Sequence, residues 1–248
     1  MDKSIVIIGN GSSLKNSGLG KKIDEFDEVI RINECKTKGW EEDAGMKFTI
    51  WATFNPDKRI MKFIRSYISL GYSMDTIKEL VKEVHEIWYV GARADCSRPW
   101  KSKFVTELEL DNVIKRHSSP LTVRQISRVI EYPTTGFVLI WLFTRLYDKI
   151  YLAGFDFGGI TDPTLKYHHY FHETPKYDKD IHNFKHEHEI VDILVREGKI
   201  EYLKPDTNIR KGKYIYNPVI EKQCSVCNKK SYLYMWENRI CHYCESIL

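Results

Sequence analysis

The sequence has no long hydrophobic run. Its longest uninterrupted apolar stretch is Gly136 to Phe143, far short of the roughly 20 residues that cross a bilayer as a helix. A leader has no room either, because the strand-like run Ile5-Val6-Ile7-Ile8 begins almost at Met1. The expectation from both is a cytoplasmic protein with no membrane span. Charge of one sign is also lacking. Lys and Arg number 38 against 34 Asp and Glu, a net charge of +4 with histidine neutral. That balance accommodates an anionic ligand but gives little footing to a nucleic-acid binder. No internal repeat or low-complexity tract is visible, and 42% hydrophobic residues are enough for a real core, which excludes global disorder. Cysteine is scarce outside one cluster: Cys35 and Cys96 stand alone, while Cys224, Cys227, Cys241 and Cys244 gather near the C-terminus.

The 248 residues suit one ordinary domain with a small appendix. We read residues 1–207 as the main domain, 208–221 as a linker and 222–248 as the appendix. The main domain alternates short apolar strands with amphipathic helices. Strands are expected at Ile5–Ile8, Glu28–Asn33, Phe48–Ala52, Glu86–Val90, Lys149–Ala153 and Ile200–Leu203. Helices are expected at Lys58–Ser69, after an N-cap at Ser73, at Phe137–Tyr147 and at Glu187–Arg196. Residues 93–120 read as a lid or insertion, and 155–181 show no regular period. Such alternation argues for an α/β fold with a parallel sheet covered on both faces. Ligands on these sheets bind at the carboxyl ends of the strands, where Gly9–Ser13, Arg31–Asn33, Asn55 and Gly154–Phe157 fall.

Gly9-Asn10-Gly11-Ser12 after the first strand is a turn whose glycines let a ligand approach the backbone and whose N–H groups favour an anion. A tight turn without a ligand fits the same residues. So does the start of a dinucleotide-binding fold, which then wants an acidic residue closing the second strand to hold the ribose. Here Arg31-Ile32-Asn33 stands at that place, which disfavours an NAD-linked oxidoreductase.

The full stretch from Ile5 to Asn33, with Leu19-Gly20-Lys21-Lys22-Ile23-Asp24 inside it, resembles the large motif of the sialyltransferases of glycosyltransferase family 29. Tyr132-Pro133-Thr134-Thr135-Gly136-Phe137, followed by an apolar helix and a strand ending in Gly154-Phe155-Asp156, is similar to that family's small motif. The bacterial sialyltransferases of family 42 share this layout, together with an Asn-Pro pair, here Asn55-Pro56. The resemblance implies a Rossmann-like, sialyltransferase-type parallel sheet with helices on both faces. It also implies a CMP-sialic acid donor and a glycan acceptor. Gly9, Asn10, Gly11, Ser12, Asn33, Asn55, Thr134, Thr135, Gly136 and Asp156 would line the donor site, with Asn10 and Asn33 on the CMP portion. Thr134 and Thr135 would also serve as an ordinary helix cap. The family's vertebrate-type members carry a cysteine in each motif, and the pair forms a disulfide; neither stretch has one here.

Nine histidines occur, six of them between His168 and His188. His169-Tyr170-Phe171 resembles the family's third motif, and His182 with Glu187 matches its His-x4-Glu motif. Carried over, His182 is the general base, His169 and Tyr170 contact the leaving phosphate, and Glu187 orients the loop or the base. An imidazole, with an ordinary pKa of about 6.5, suits removal of a proton from an acceptor hydroxyl near neutral pH. This account asks no metal of the catalysis. A His-rich metal site at His182, His186 and His188 with Glu187 and Glu189 is the competing reading, although it lacks the His-Glu-x-x-His order of a zincin. Two further alternatives stay open. One is transfer from another CMP-sugar, such as Kdo or a related nonulosonic acid. The other is a non-catalytic nucleotide- or nucleic-acid-binding protein.

The four clustered cysteines form two Cys-x-x-Cys knuckles separated by 13 residues, the spacing of a zinc ribbon whose thiolates hold one structural zinc. So short a segment folds on the metal rather than on a core, and it could engage a protein partner. Zinc content is expected near one per chain and should fall on Cys224→Ser. Elemental analysis finding no zinc in protein with free thiols would remove the ribbon.

Overall fold

The computed structural model describes residues 2–54, 56–90, 103–117, 126, 129–161, 163–164, 167–175, 182–214, 221–223 and 230–232. Asn55, Cys224, Cys227, Cys241 and Cys244 lie outside these residues. The strands are β1 (Ile5–Ile8), β2 (Glu28–Ile32), β3 (Ile50–Thr53), β4 (Glu86–Tyr89), β5 (Ile114–His117), β6 (Ile150–Ala153), β7 (Tyr167–His169), β8 (His172–Pro175) and β9 (Ile200–Tyr202). Seven of them form one sheet in the order β5-β4-β3-β2-β1-β6-β9, and every pairing in it is parallel. β1, β2, β3 and β6 are buried at every residue. That explains why β1 and β6 read as continuous apolar runs rather than as alternating ones, while β2 carries the buried Glu28 and Arg31.

The helices are α1 (Gly20–Asp24), α2 (Glu41–Ala44), α3 (Pro56–Ile68), α4 (Met74–Val81), α5 (Lys103–Glu107), α6 (Thr135–Leu146) and α7 (Phe184–Arg196). They cover both faces of the sheet. On one face Ile5, Ile7, Ile30 and Leu152 pack with Phe137, Ile140 and Phe143 of α6 and Val191 of α7. On the other, Trp51 and Ile87 meet Ile60, Phe63, Tyr67 and Ile77 of α3 and α4, and Val6 and Ile8 meet Leu14 and Ile23. Each such side chain contributes about 1.5–3 kcal/mol on full burial. α6 is apolar on nearly all sides because it is buried among sheet, α7 and the chain beyond β9. Ser73 caps α4, its Oγ accepting from the Thr76 N–H at 3.2 Å. No helix among the described residues is long and apolar enough to cross a membrane.

Two segments read differently in three dimensions. Part of the stretch expected to form a lid, 103–117, is α5 and the edge strand β5. An edge strand has one neighbour and tolerates charge, so Ile114-Lys115-Arg116-His117 carries no apolar run to announce it. Within 155–181, β7 and β8 pair antiparallel with His169 opposite His172, leaving Tyr170-Phe171 as a two-residue turn. Strands this short carry too few alternations to show a period.

The chain runs outward from β1 to β5 and then returns to place β6 on the other side of β1. The switch point of the sheet therefore lies between β1 and β6, and there the two turns are locked together. Gly9 N–H donates to the Ala153 carbonyl and Gly11 N–H to the Gly154 carbonyl, both at 2.8 Å. A Cβ on Gly9 would stand 2.2 Å from the Gly154 oxygen, so only glycine fits. Gly9→Ala should cost about 1–3 kcal/mol by overpacking, which lowers the melting temperature by about 2–10 °C for a domain of this size. A thermal melt unchanged by the substitution would contradict this close approach.

Candidate active site

Three polar devices converge on the carboxyl edge of the sheet. The first is the β1 turn. Asp156, almost fully buried, accepts from the Ser13 N–H at 3.0 Å and from the hydroxyls of Ser13 and Ser12. Asp156 was expected among the donor-binding residues, but its carboxylate instead shapes the turn that presents Asn10 and Gly11. Asn10 Nδ2 donates to the Ile32 carbonyl at 3.0 Å, tying β1 to the end of β2. Its Oδ1 is buried and has no hydrogen-bond partner among the described residues, which is uncommon for a buried acceptor. Asn33 takes a left-handed φ of 53°. Its N–H bonds to the Ala52 carbonyl at 2.8 Å, and its Oδ1 accepts from the Phe54 N–H at 3.3 Å.

The second device is the β7–β8 turn. Tyr170 N–H donates to the Asn10 carbonyl at 3.0 Å, which sets the turn directly against the β1 turn. The Tyr170 ring is fully buried and edge-on to Trp40 at 5.4 Å. Its hydroxyl accepts from the Lys36 N–H at 3.1 Å and donates to the Lys36 carbonyl. Burial pushes this phenol well above its usual pKa. Tyr170, expected beside a leaving phosphate, has its hydroxyl on the Lys36 backbone, where it secures the loop after β2. His169 is half-buried, its ring 5.3 Å from that of Phe171.

The third device is a clasp. Thr134 caps α6, with Oγ1 accepting from the Phe137 N–H at 3.0 Å. The buried carboxylate of Glu187 accepts from the Thr134 N–H at 2.6 Å and from its hydroxyl at 2.8 Å. Two residues earlier in the same turn, the Tyr132 carbonyl lies 2.6 Å from His182 Nδ1. A carbonyl only accepts, so Nδ1 carries the proton, and the neutral ring keeps its lone pair on Nε2. The spacing of His182 and Glu187 thus has a physical cause: one residue grips the turn at Tyr132, the other at Thr134. Asn183 caps α7 between them, its Oδ1 accepting from the His186 N–H at 3.2 Å. The clasped turn joins the rest of the site through Gly136. A Cβ there would stand 2.8 Å from the Phe155 ring and 3.6 Å from Ile32, so the start of α6 lies directly over the ends of β2 and β6.

The sequence brought most of these residues to notice. It missed Asn183, Lys36 and the backbone of Tyr132, whose left-handed φ of 52° is invisible in composition. Among the described residues, no group of three His, Cys, Asp or Glu side chains could hold a metal ion. Glu187, one member of the alternative His-rich metal site, faces Thr134 instead.

Comparison with known proteins bears on the family and the fold. The chain is 28% identical over 185 residues to the CMP-N-acetylneuraminate-beta-galactosamide-alpha-2,3-sialyltransferase 4 of Rattus norvegicus, covering 66% of this chain and 53% of that protein. It is 25% identical over 225 residues to the lactosylceramide alpha-2,3-sialyltransferase of Mus musculus, covering 81% and 53%. It thus spans about half the length of the curated relatives it matches. In fold it is similar to a mammalian sialyltransferase solved with Gal-beta-1-3GalNAc-ortho-nitrophenol, with a TM-score of 0.54 and 21% identity over 82% of this chain and 70% of that one. Residues 3–199 match the model of glycosyltransferase family 29 (sialyltransferase), and the chain belongs to that family.

Proposed function

We propose that this chain is an inverting sialyltransferase, moving sialic acid from CMP-sialic acid to a hydroxyl of an acceptor glycan, with His182 as the general base. The observation that carries the reading is the bond from His182 to the Tyr132 carbonyl, because it fixes the tautomer that a base requires. Nε2 takes the proton of the acceptor hydroxyl as that oxygen attacks the anomeric carbon. The bond from that carbon to the CMP phosphate oxygen breaks, and the electron pair leaves with CMP. Attack opposite the leaving group inverts the centre. Support for the nucleotide side comes from the partnerless Asn10 Oδ1, from Asn33, and from the glycine turn. The Thr135 and Gly136 N–H groups at the start of α6 suit an anion, and His169 is a hydrogen-bond donor for the departing phosphate. Glu187, Tyr170 and Asp156 act as positioning residues.

The zinc ribbon belongs to the same proposal. It rests on the cysteine spacing, and the short strands Glu221–Gln223 and Lys230–Tyr232 pair antiparallel on either side of Cys224 and Cys227, as the arms of a knuckle do. Zinc thiolates persist in a reducing compartment, which supports a cytoplasmic setting.

CMP should raise the melting temperature, and UMP or NAD should do so much less. At 100 times its dissociation constant a ligand adds about 2.7 kcal/mol, or about 5–10 °C here. His182→Ala should keep that shift while transfer from CMP-sialic acid drops by about 100- to 10,000-fold. A larger shift with NAD, or full turnover by the variant, would sink the reading.

Glu187→Gln places an amide where a carboxylate accepts two hydrogen bonds, so one amide hydrogen confronts a Thr134 donor. The expected loss is about 1–3 kcal/mol, seen as a lower melting temperature and a fall in kcat with the Kd for CMP little changed. Wild-type kcat in this variant would show that the clasp does not position the base.

A further inference from the structure

Lys36 follows β2 by four residues and lies in the loop that Tyr170 secures. Its main chain is held on both sides by the Tyr170 hydroxyl, so its side chain has a fixed origin beside the β7–β8 turn. The ammonium lies 5.7 Å from the centre of the Phe171 ring, and that ring lies 5.3 Å from the imidazole of His169. Lys36 is thus on the His169 side of the site, one turn away from Asn10.

Its electrostatic setting is unusual for a lysine in this region. Lys38, two residues on, pairs with Glu41 at 3.1 Å, and Arg59 and Lys62 share Glu34 at 2.8 and 2.9 Å. Among the described residues no carboxylate stands within ion-pair distance of Lys36. The side chain is half-buried, and desolvation alone holds its pKa below the usual lysine value, with no acid opposing it. A half-desolvated cation carries a cost that an opposite charge relieves. The face of Phe171 relieves part of it, and an anion would relieve the rest.

We infer that Lys36 supplies the cationic contact to an anionic oxygen of the donor, beside His169, and so helps select a charged nucleotide-linked sugar. This rests on the reading of the site as one for a CMP-activated donor. Such a donor carries two anions, the phosphate and the sugar carboxylate, and one ammonium at this place can serve either.

Isothermal titration of the full chain with cytidine, CMP and CMP-sialic acid, without acceptor, separates the cases. The variant is Lys36→Met, which keeps the aliphatic stem over Phe171 and removes a buried charge, so its melting temperature should not fall. Loss of one charge-assisted hydrogen bond corresponds to weakening by about 10- to 100-fold. Weaker binding of both CMP and CMP-sialic acid, with cytidine unchanged, assigns the contact to the phosphate. Weakening of CMP-sialic acid alone assigns it to the carboxylate. Lys36→Arg should retain most of the affinity, and Lys38→Met should match wild type, since a general field effect would move both lysine variants alike. Unchanged affinities in Lys36→Met, or equal weakening of cytidine, would overturn the inference. Failure of the wild type to bind CMP would instead overturn the donor reading beneath it.

Discussion

The buried carboxylate of Glu187 on Thr134 is the interaction on which the reactive half of the molecule depends. It joins α7 to the N-cap of α6, and those two helices together cover one face of the sheet. Because Glu187 grips the turn at Thr134 while His182 grips it at Tyr132, the imidazole is located by the same turn that starts α6. A carboxylate taken out of water is tolerated where donors are pre-aimed at it; the Thr134 N–H and hydroxyl are such donors. The turn itself is strained at Tyr132, whose positive φ would relax if either grip were lost. Stability and geometry are therefore coupled at one point, and a change in this clasp reaches the His182 imidazole without touching it.

The other half of the site is governed by topology. Placing β6 beside β1 brings two turns together at the switch point of the sheet, and parallel strands direct both turns to the same edge. Asp156 then orders the β1 turn from across the switch, and the Tyr170 turn closes over it through the Asn10 carbonyl. Among the described residues, what these structural bonds leave over is Asn10 Oδ1.

Much of the sheet was legible because a parallel strand covered on both faces is mostly apolar, as Ile5–Ile8 and Ile150–Ala153 are. Edge strand β5 and the β7–β8 hairpin were not legible: one has a charged sequence with no apolar run, the other is too short to display alternation. The sequence pointed to a set of candidate residues but not to their tasks. Asp156 and Tyr170 fall in motifs, and a motif shows that a residue is needed without showing what its polar atoms do. In both, those atoms are directed at neighbouring backbone or hydroxyls, a fact carried by distances and not by residue type. Lys36 belongs to no motif quoted for the family, so only its burial and missing counter-ion set it apart.

Cys35 lies in this same loop, one residue from Lys36, and is buried with its thiol pushed up to about 12. Thiolate is the form that reacts, and at neutral pH this side chain has almost none. The loop after β2 therefore carries a sulfur that is chemically silent while the chain is folded. Oxidants and alkylating reagents would reach it only when the packing of Phe48, Trp51 and Tyr67 around it opens, so its modification keeps time with the breathing of the core rather than with turnover.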